Sequence, residues 1–210
     1  MGWFDFVRSP GGTSVETLHI PLFPLNTVLF PGGMQPLKIF EQRYLDMAAA
    51  CMKENKPFGI CLIDKGGEVG EAAVPHAVGT LASIANWEME QLGILMITAQ
   101  GGRRFRIIET RIGANNLLEG TVELLAESEP TALPQERERL LPLLQRIVSD
   151  LGTERIPEPH RFDNAEWVGY RITEVLPIQN LAKQKLLELD DPLVRLEILE
   201  KYLNQRKLLG

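Results

Sequence analysis

The stretch Ile20–Tyr44 reads IPLFPLNTVLFPGGMQPLKIFEQRY and sets Pro21, Pro24, Pro31 and Pro36 among pairs of large apolar residues. Each proline removes a backbone donor and fixes φ, which rules out an unbroken helix or a fully laddered central strand here. The apolar residues still require burial or a partner. The segment is therefore expected to form short extended pieces bent around a core, with Pro31-Gly32-Gly33 as the turn between them.

A chain of 210 residues buries roughly 70% of the surface its unfolded form exposes, enough for one large core or two smaller ones. The formal net charge is −6, and neither half is basic: 10 Lys/Arg face 14 Asp/Glu up to Glu127, and 12 face 14 from Ser128 onward. A binder of the phosphate backbone normally carries a basic face, so this balance argues against nucleic acid. No apolar run approaches membrane-spanning length. The N-terminus MGWFDFVRSPGG has an acid inside its apolar patch and reads as a flexible tail over residues 1–17, not a secretory signal. A cytoplasmic location is the default expectation.

The pattern changes character near Glu127. Before it, Glu41–Met52 carries apolar residues at helical spacing and stops at Asn55-Lys56-Pro57. Phe58–Ile63 reads as a buried strand, followed by short strands at Val78–Asn86, Gly93–Thr98, Arg103–Ile108 and Gly120–Leu125. Several short strands with one embedded helix suggest a small mixed barrel or sandwich. After Glu127, periodicity gives about four helices. Leu133–Leu151 is expected to kink or split at Pro142. Asp163 is the expected N-cap of a helix bearing Val168, Ile172, Val175 and Leu176, with Glu166 completing a capping box. Asn180–Leu189 turns Leu181, Ala182, Leu186 and Leu189 inward. Asp191 caps a last helix with the stripe Leu193, Leu196, Leu199 and Leu203. The boundary between halves falls in Ser128–Pro134.

Motifs for chemistry are scarce. There is no G-x-x-x-x-G-K-[ST] loop to cradle phosphates and no G-x-S-x-G elbow. His19, His76 and His160 are far from one another in sequence, and Cys51 and Cys61 read as small core residues. No cofactor and no metal site is expected. Glu88 and Glu90 alternate with Trp87 and Met89, as the solvated face of a hairpin strand would. Arg103-Arg104-Phe105-Arg106 is the one basic cluster. Arg104 and Arg106 share a strand face, either as two solvated arginines or as contacts to RNA phosphates. Phe30 and Met34 flank the turn glycines. Two roles are open to them: plugging the core, or receiving apolar residues of another chain.

A family resemblance rests on these residues. Pro21-Leu22-Phe23-Pro24-Leu25, Val28-Leu29-Phe30-Pro31-Gly32, Pro36-Leu37-x-Ile39-Phe40-Glu41-x-Arg43-Tyr44 and Phe58-Gly59 resemble the start of the N-terminal, substrate-binding domain of Lon proteases. Gly79-Thr80-x-Ala82-x-Ile84, Gly102-x-Arg104-Phe105-Arg106-Ile107, Lys183-Gln184-x-Leu186-Leu187-Glu188 and Asp191-Pro192-x-x-Arg195-Leu196-Glu197-x-Leu199 follow in the family's order. The resemblance spans about Leu18 to Leu203. It implies an α+β protein: a PUA-like mixed β-barrel domain over 18–127, then an all-α helical bundle over 128–210. It also implies binding of unfolded or flexible polypeptides, with Phe30 and Met34 as the contact candidates and a protease as a further partner. The ATPase loop and the serine–lysine peptidase residues of a Lon enzyme have no counterpart in these 210 residues. The leading expectation is thus a non-catalytic adaptor or holdase. RNA binding through Arg104 and Arg106 is the alternative, and an unrecognised hydrolase the third reading.

Overall fold

The computed structural model describes residues 16–113, 115–127 and 129–209. The expected flexible tail, residues 1–17, falls mostly outside them. The chain divides into two compact units. One ends at Pro31 and resumes over Gln35–Ala126; the other takes Gly32–Met34 and Glu127–Gly210.

The first unit contains strands β1 (Thr17–Leu25), β2 (Met34–Ile39), β3 (Phe58–Lys65), β4 (Val74–Gln91), β5 (Ile94–Ile112) and β6 (Leu118–Leu124), with helix α1 (Gln42–Glu54) between β2 and β3. They form one six-stranded sheet in the order β2-β5-β4-β3-β1-β6, and β5 also pairs with β6. The prolines are accommodated by a change of partner along β1. Thr17–Pro21 runs antiparallel to β6, whereas Leu22–Leu25 runs parallel to β3. Each half of β1 is laddered on one side, so a missing donor at Pro21 or Pro24 need not break a second ladder. The expected turn is present at Pro31-Gly32, with Gly32 at φ 72°.

The three short strands expected at Val78–Asn86, Gly93–Thr98 and Arg103–Ile108 are instead parts of two long ones, β4 and β5. Gly101-Gly102, between two of these expected strands, lies inside β5. Its role is close approach, because a Cβ at Gly101 would overlap the Phe30 carbonyl oxygen. Irregularities that would have ended a strand are absorbed as register shifts, including those between Ile84/Asn86 and Met89/Gln91. Gly79 likewise makes room, since a Cβ there would lie 2.6 Å from the buried Phe105 ring. One apolar cluster joins Phe23, Tyr44, Met47, Phe58, Leu95 and Ile97; a second joins Leu22, Phe105 and Val122. Helix α1 ends at Asn55 in the left-handed conformation, ahead of Lys56-Pro57.

The second unit consists of a 3-10 helix (Gln135–Leu140) followed by α2 (Leu141–Arg155), α3 (Ala165–Val175), α4 (Asn180–Glu188) and α5 (Pro192–Gln205). The expected split of Leu133–Leu151 near Pro142 is present, between the 3-10 helix and α2, and the proline does not kink a helix interior. It sits in the first turn of α2, where its missing N–H has no intrahelical partner to lose. The N-cap of α3 is Asn164, one residue past the expected Asp163, and its side chain accepts from the Trp167 N–H at 2.8 Å. Asp163 is engaged through its backbone carbonyl, which accepts from Leu133. In α4, Leu181 and Ala182 are exposed while Gln184 and Leu187 are buried. Short helices with apolar residues on several sides leave the inward face ambiguous until the packing partners are known. Asp191 does cap α5, its Oδ1 accepting from Leu193 and Val194 at 2.8 and 3.3 Å. Leu196, Leu199 and Leu203 line the core, but Leu193 lies toward solvent. Buried Arg195 donates from Nε to the Leu186 carbonyl at 2.9 Å and lies 4.2 Å from the Tyr170 ring centre.

Candidate functional site

The residues nominated from the sequence are placed very differently. Phe30 is fully buried, and Met34 at the start of β2 is half-buried. The expectation of two solvated arginines is corrected. Arg106 is exposed, but Arg104 is 5% exposed, beside the fully buried Phe105. The register with β4 runs unbroken from Arg104 to Arg106, so the two share a face, and that face is covered at Arg104 and open at Arg106. Arg103 donates to Glu16 at 2.8 Å. The cluster therefore offers no continuous cationic face.

Within the first unit, a cavity of about 220 Å³ lies between α1, β1 and the start of β6. His19 and Glu119 line it, with His19 Nε2 3.4 Å from Glu119 Oε2 and Arg111 Nη2 2.6 Å from the same carboxylate oxygen. The Thr121 hydroxyl lies 3.4 Å from His19 Nδ1. Cys51, also on the wall, has its thiol pushed up to about 11 by burial, so it stays protonated near neutrality and is a poor nucleophile. Cys61 is fully buried and its thiol is raised further. Among the described residues, no group of three or more His, Cys, Asp or Glu is placed to hold a metal ion.

A second cavity, of about 320 Å³, runs along β2. Phe23, Leu25, Leu37 and Tyr44 wall it, while Phe40 (53% exposed) and Val69 (62%) stand at its rim. Phe23 and Tyr44 stack at 4.0 Å, and the Arg43 guanidinium lies 4.6 Å from the centre of the Tyr44 ring. Burial raises the Tyr44 hydroxyl above its ordinary value, which keeps it neutral. Gln35, Lys38, Glu41 and Glu68 also line it, so the cavity offers apolar and aromatic contact with charged groups beside it.

The sequence matches the profile of the ATP-dependent protease La (LON) substrate-binding domain over residues 19–205. The chain belongs to the LON substrate-binding domain family. It is 24% identical over 185 residues to a Lon protease of Cytophaga hutchinsonii and 28% identical over 166 residues to Lon protease 1 of Bdellovibrio bacteriovorus. These alignments cover 84% and 78% of this chain but 23% and 20% of those proteins, so the chain spans less than a quarter of their length. A Lon N-terminal domain protein from Xanthomonas campestris has a similar structure, with TM-score 0.73 and 35% identity over 88% of this chain and 98% of that one. The N-terminal domain of a Mycobacterium avium complex Lon protease shares the fold at TM-score 0.60 and 18% identity, over 88% of this chain and 97% of that one.

In this LON substrate-binding domain, sequence reasoning missed the exposed apolar residues. Phe40, Val69, Trp87, Met89 and Leu92 all lie toward solvent, Leu92 completely. The WEME alternation was legible as a hairpin strand, yet Trp87 and Met89 are exposed together with the acid between them. The sequence does not say that the β4–β5 hairpin runs past its neighbours. The side chain of Glu90 lies outside the described residues. Among those residues, no helix is long and apolar enough to cross a membrane.

Proposed function

We propose that this LON substrate-binding domain protein binds unfolded or flexible stretches of polypeptide without acting on them chemically, as an adaptor or holdase. The observation that carries this reading is the cavity beside β2. Its floor is a stacked aromatic pair, and two large apolar side chains are left at its rim. Exposed apolar groups around a preformed cavity favour a ligand with apolar side chains, and a cavity near 300 Å³ accepts one or two of them. The pairing of β5, β4, β3, β1 and β6 in turn, with β5 also pairing β6, supports reading the sheet as a PUA-like barrel, and the helices of the second unit support reading that unit as a bundle. Met34, half-exposed, stays a contact candidate. Phe30 is fully buried and does not line this cavity. Handing a bound chain to a protease would be a role for this protein together with a partner.

The test is a titration of a labelled, reduced and carboxymethylated protein against the full chain. Phe40→Asp and Val69→Asp should each weaken binding tenfold or more while leaving the melting temperature unchanged. Equal binding by both variants would overturn the assignment of the cavity. No binding by the wild-type chain would overturn the function.

A further inference from the structure

The outer edge of β4 is open where the hairpin leaves the rest of the sheet. The β3–β4 ladder reaches Phe58↔Ala82, and from Ser83 to Gln91 the strand partner of β4 among the described residues is β5 alone. Register shifts between Ile84/Asn86 and Met89/Gln91 bracket four regularly paired residues, Asn86 to Met89. Within them, the Trp87 N–H donates to the side chain of the preceding residue, Asn86 Oδ1, at 2.9 Å. Antiparallel ladders alternate the direction of successive residues' amides. We take the amide that Asn86 engages as the outward one, which makes Trp87 and Met89 the residues whose backbone groups point away from β5, with Asn86 holding the place of an incoming carbonyl.

The side chains on this edge divide by face. Trp87 and Met89 are 56% and 55% exposed and share a face with their cross-strand partners Ile97 and Leu95, which belong to the core. Glu88 is exposed on the opposite face. We propose that Asn86–Met89 of β4 takes an extended polypeptide segment as an added strand, one in which apolar residues alternate with Lys or Arg. Backbone pairing tolerates many sequences, while alternate side chains meet Trp87 and Met89 on one face and Glu88 on the other. Charge selects this occupant over a second copy of the chain. A two-fold pairing of the same edge about Glu88 would set its carboxylate against that of the second copy, and like charges directly opposite are destabilising. The bulges at either end keep the edge short, which limits pairing between copies.

This inference rests on the polypeptide-binding reading and names the segment bound. Two labelled peptides, one alternating Val and Lys and one alternating Val and Glu, are titrated against the full chain alongside the carboxymethylated protein. The Val–Lys peptide should bind at least tenfold more tightly. Met89→Pro deletes an outward N–H and should cost tenfold or more in affinity, whereas Met89→Ala should cost less than threefold. Glu88→Lys, at an exposed position, should reverse the preference between the two peptides whatever the stability of the proline variant. If Glu88→Lys leaves the preference unchanged, or Met89→Pro binds like Met89→Ala, strand addition is wrong. Retained binding of the carboxymethylated protein, sensitive to Phe40→Asp, would then leave the broader reading standing. Loss of both kinds of binding sinks both. A concentration-dependent dimer on sedimentation that Met89→Pro abolishes would assign the edge to a second copy instead.

Discussion

Replacing Gly59 by alanine adds one methyl group to the centre of the first unit, and the structure says what that methyl meets. An ideal Cβ would lie 2.6 and 3.0 Å from Cζ and Cε1 of Phe105 and 2.7 Å from Cδ2 of Leu22. Ordinary carbon–carbon contact is about 3.5–4.0 Å, so the overlap is roughly 1 Å against each side chain. Such overpacking costs about 1–3 kcal/mol. Phe105→Leu, at a fully buried position, costs about 1–2 kcal/mol by removing ring atoms. The double variant should cost clearly less than the sum of the two single changes, because leucine lacks the ring edge and leaves the methyl only the flexible end of Leu22 to displace. The coupling is then of order 1–2 kcal/mol, within the range for residues in contact. Gly79→Ala is the control. Its Cβ would also meet the Phe105 ring, but it lies 2.6 Å from the Ile60 carbonyl oxygen and 2.7 Å from Cys61 Sγ as well. A backbone carbonyl in a ladder cannot rotate aside, so Phe105→Leu should rescue Gly79→Ala much less. Urea unfolding followed by circular dichroism measures all five variants. Additive losses for the Gly59/Phe105 pair, or equal rescue of both alanines, would refute the packing argument.

Three further outcomes are expected. The carboxyl of Glu174 is pushed up to about 7 by burial, against the pull of Arg171, Arg155 and Lys183. Protonation is therefore favoured in the folded state. This contribution to stability is full below the unfolded value near 4.5 and lost as pH rises through about 7. The stability of the wild type relative to Glu174→Gln should rise by at least about 1 kcal/mol between pH 7 and pH 5, and a flat difference in urea midpoints would contradict it. Asn164→Ala and Asp191→Ala should each lower stability by about 1 kcal/mol through loss of a cap; Asp163→Ala should stay within about 0.5 kcal/mol. A larger loss at Asp163 in thermal melts would return the cap to that residue. Arg104→Ala should lower the urea midpoint by an amount equivalent to about 1–3 kcal/mol and Arg106→Ala hardly at all; the reverse order would mean the burial of Arg104 has been misread.

Local chemistry made much of the fold legible. The stop of α1 at Asn55 and the cap of α5 at Asp191 are set by residues within a few positions of the boundary, so they can be read without knowing the rest of the chain. Leu181 was unreadable for the opposite reason. Α nine-residue helix with leucines on two sides has no preferred inward face until another element is set against it. The surfaces divide in the same way. Phe30 and Arg104 stand out as sequence features, yet both are buried by residues far along the chain. Phe40 and Val69, unremarkable in sequence, line one rim because β2 and the segment after β3 come together.

Taken alone, the amino-acid sequence determined the family, the mixed α+β class and the change from strands to helices near Glu127. Those depend on residue order, periodicity and capping, which act over a few residues. Tertiary structure decided how Pro21 and Pro24 are tolerated, by giving each half of β1 a different partner. It also decided which apolar side chains remain in water. Exposure is set by which strands run past their neighbours, and no local pattern in the chain encodes that.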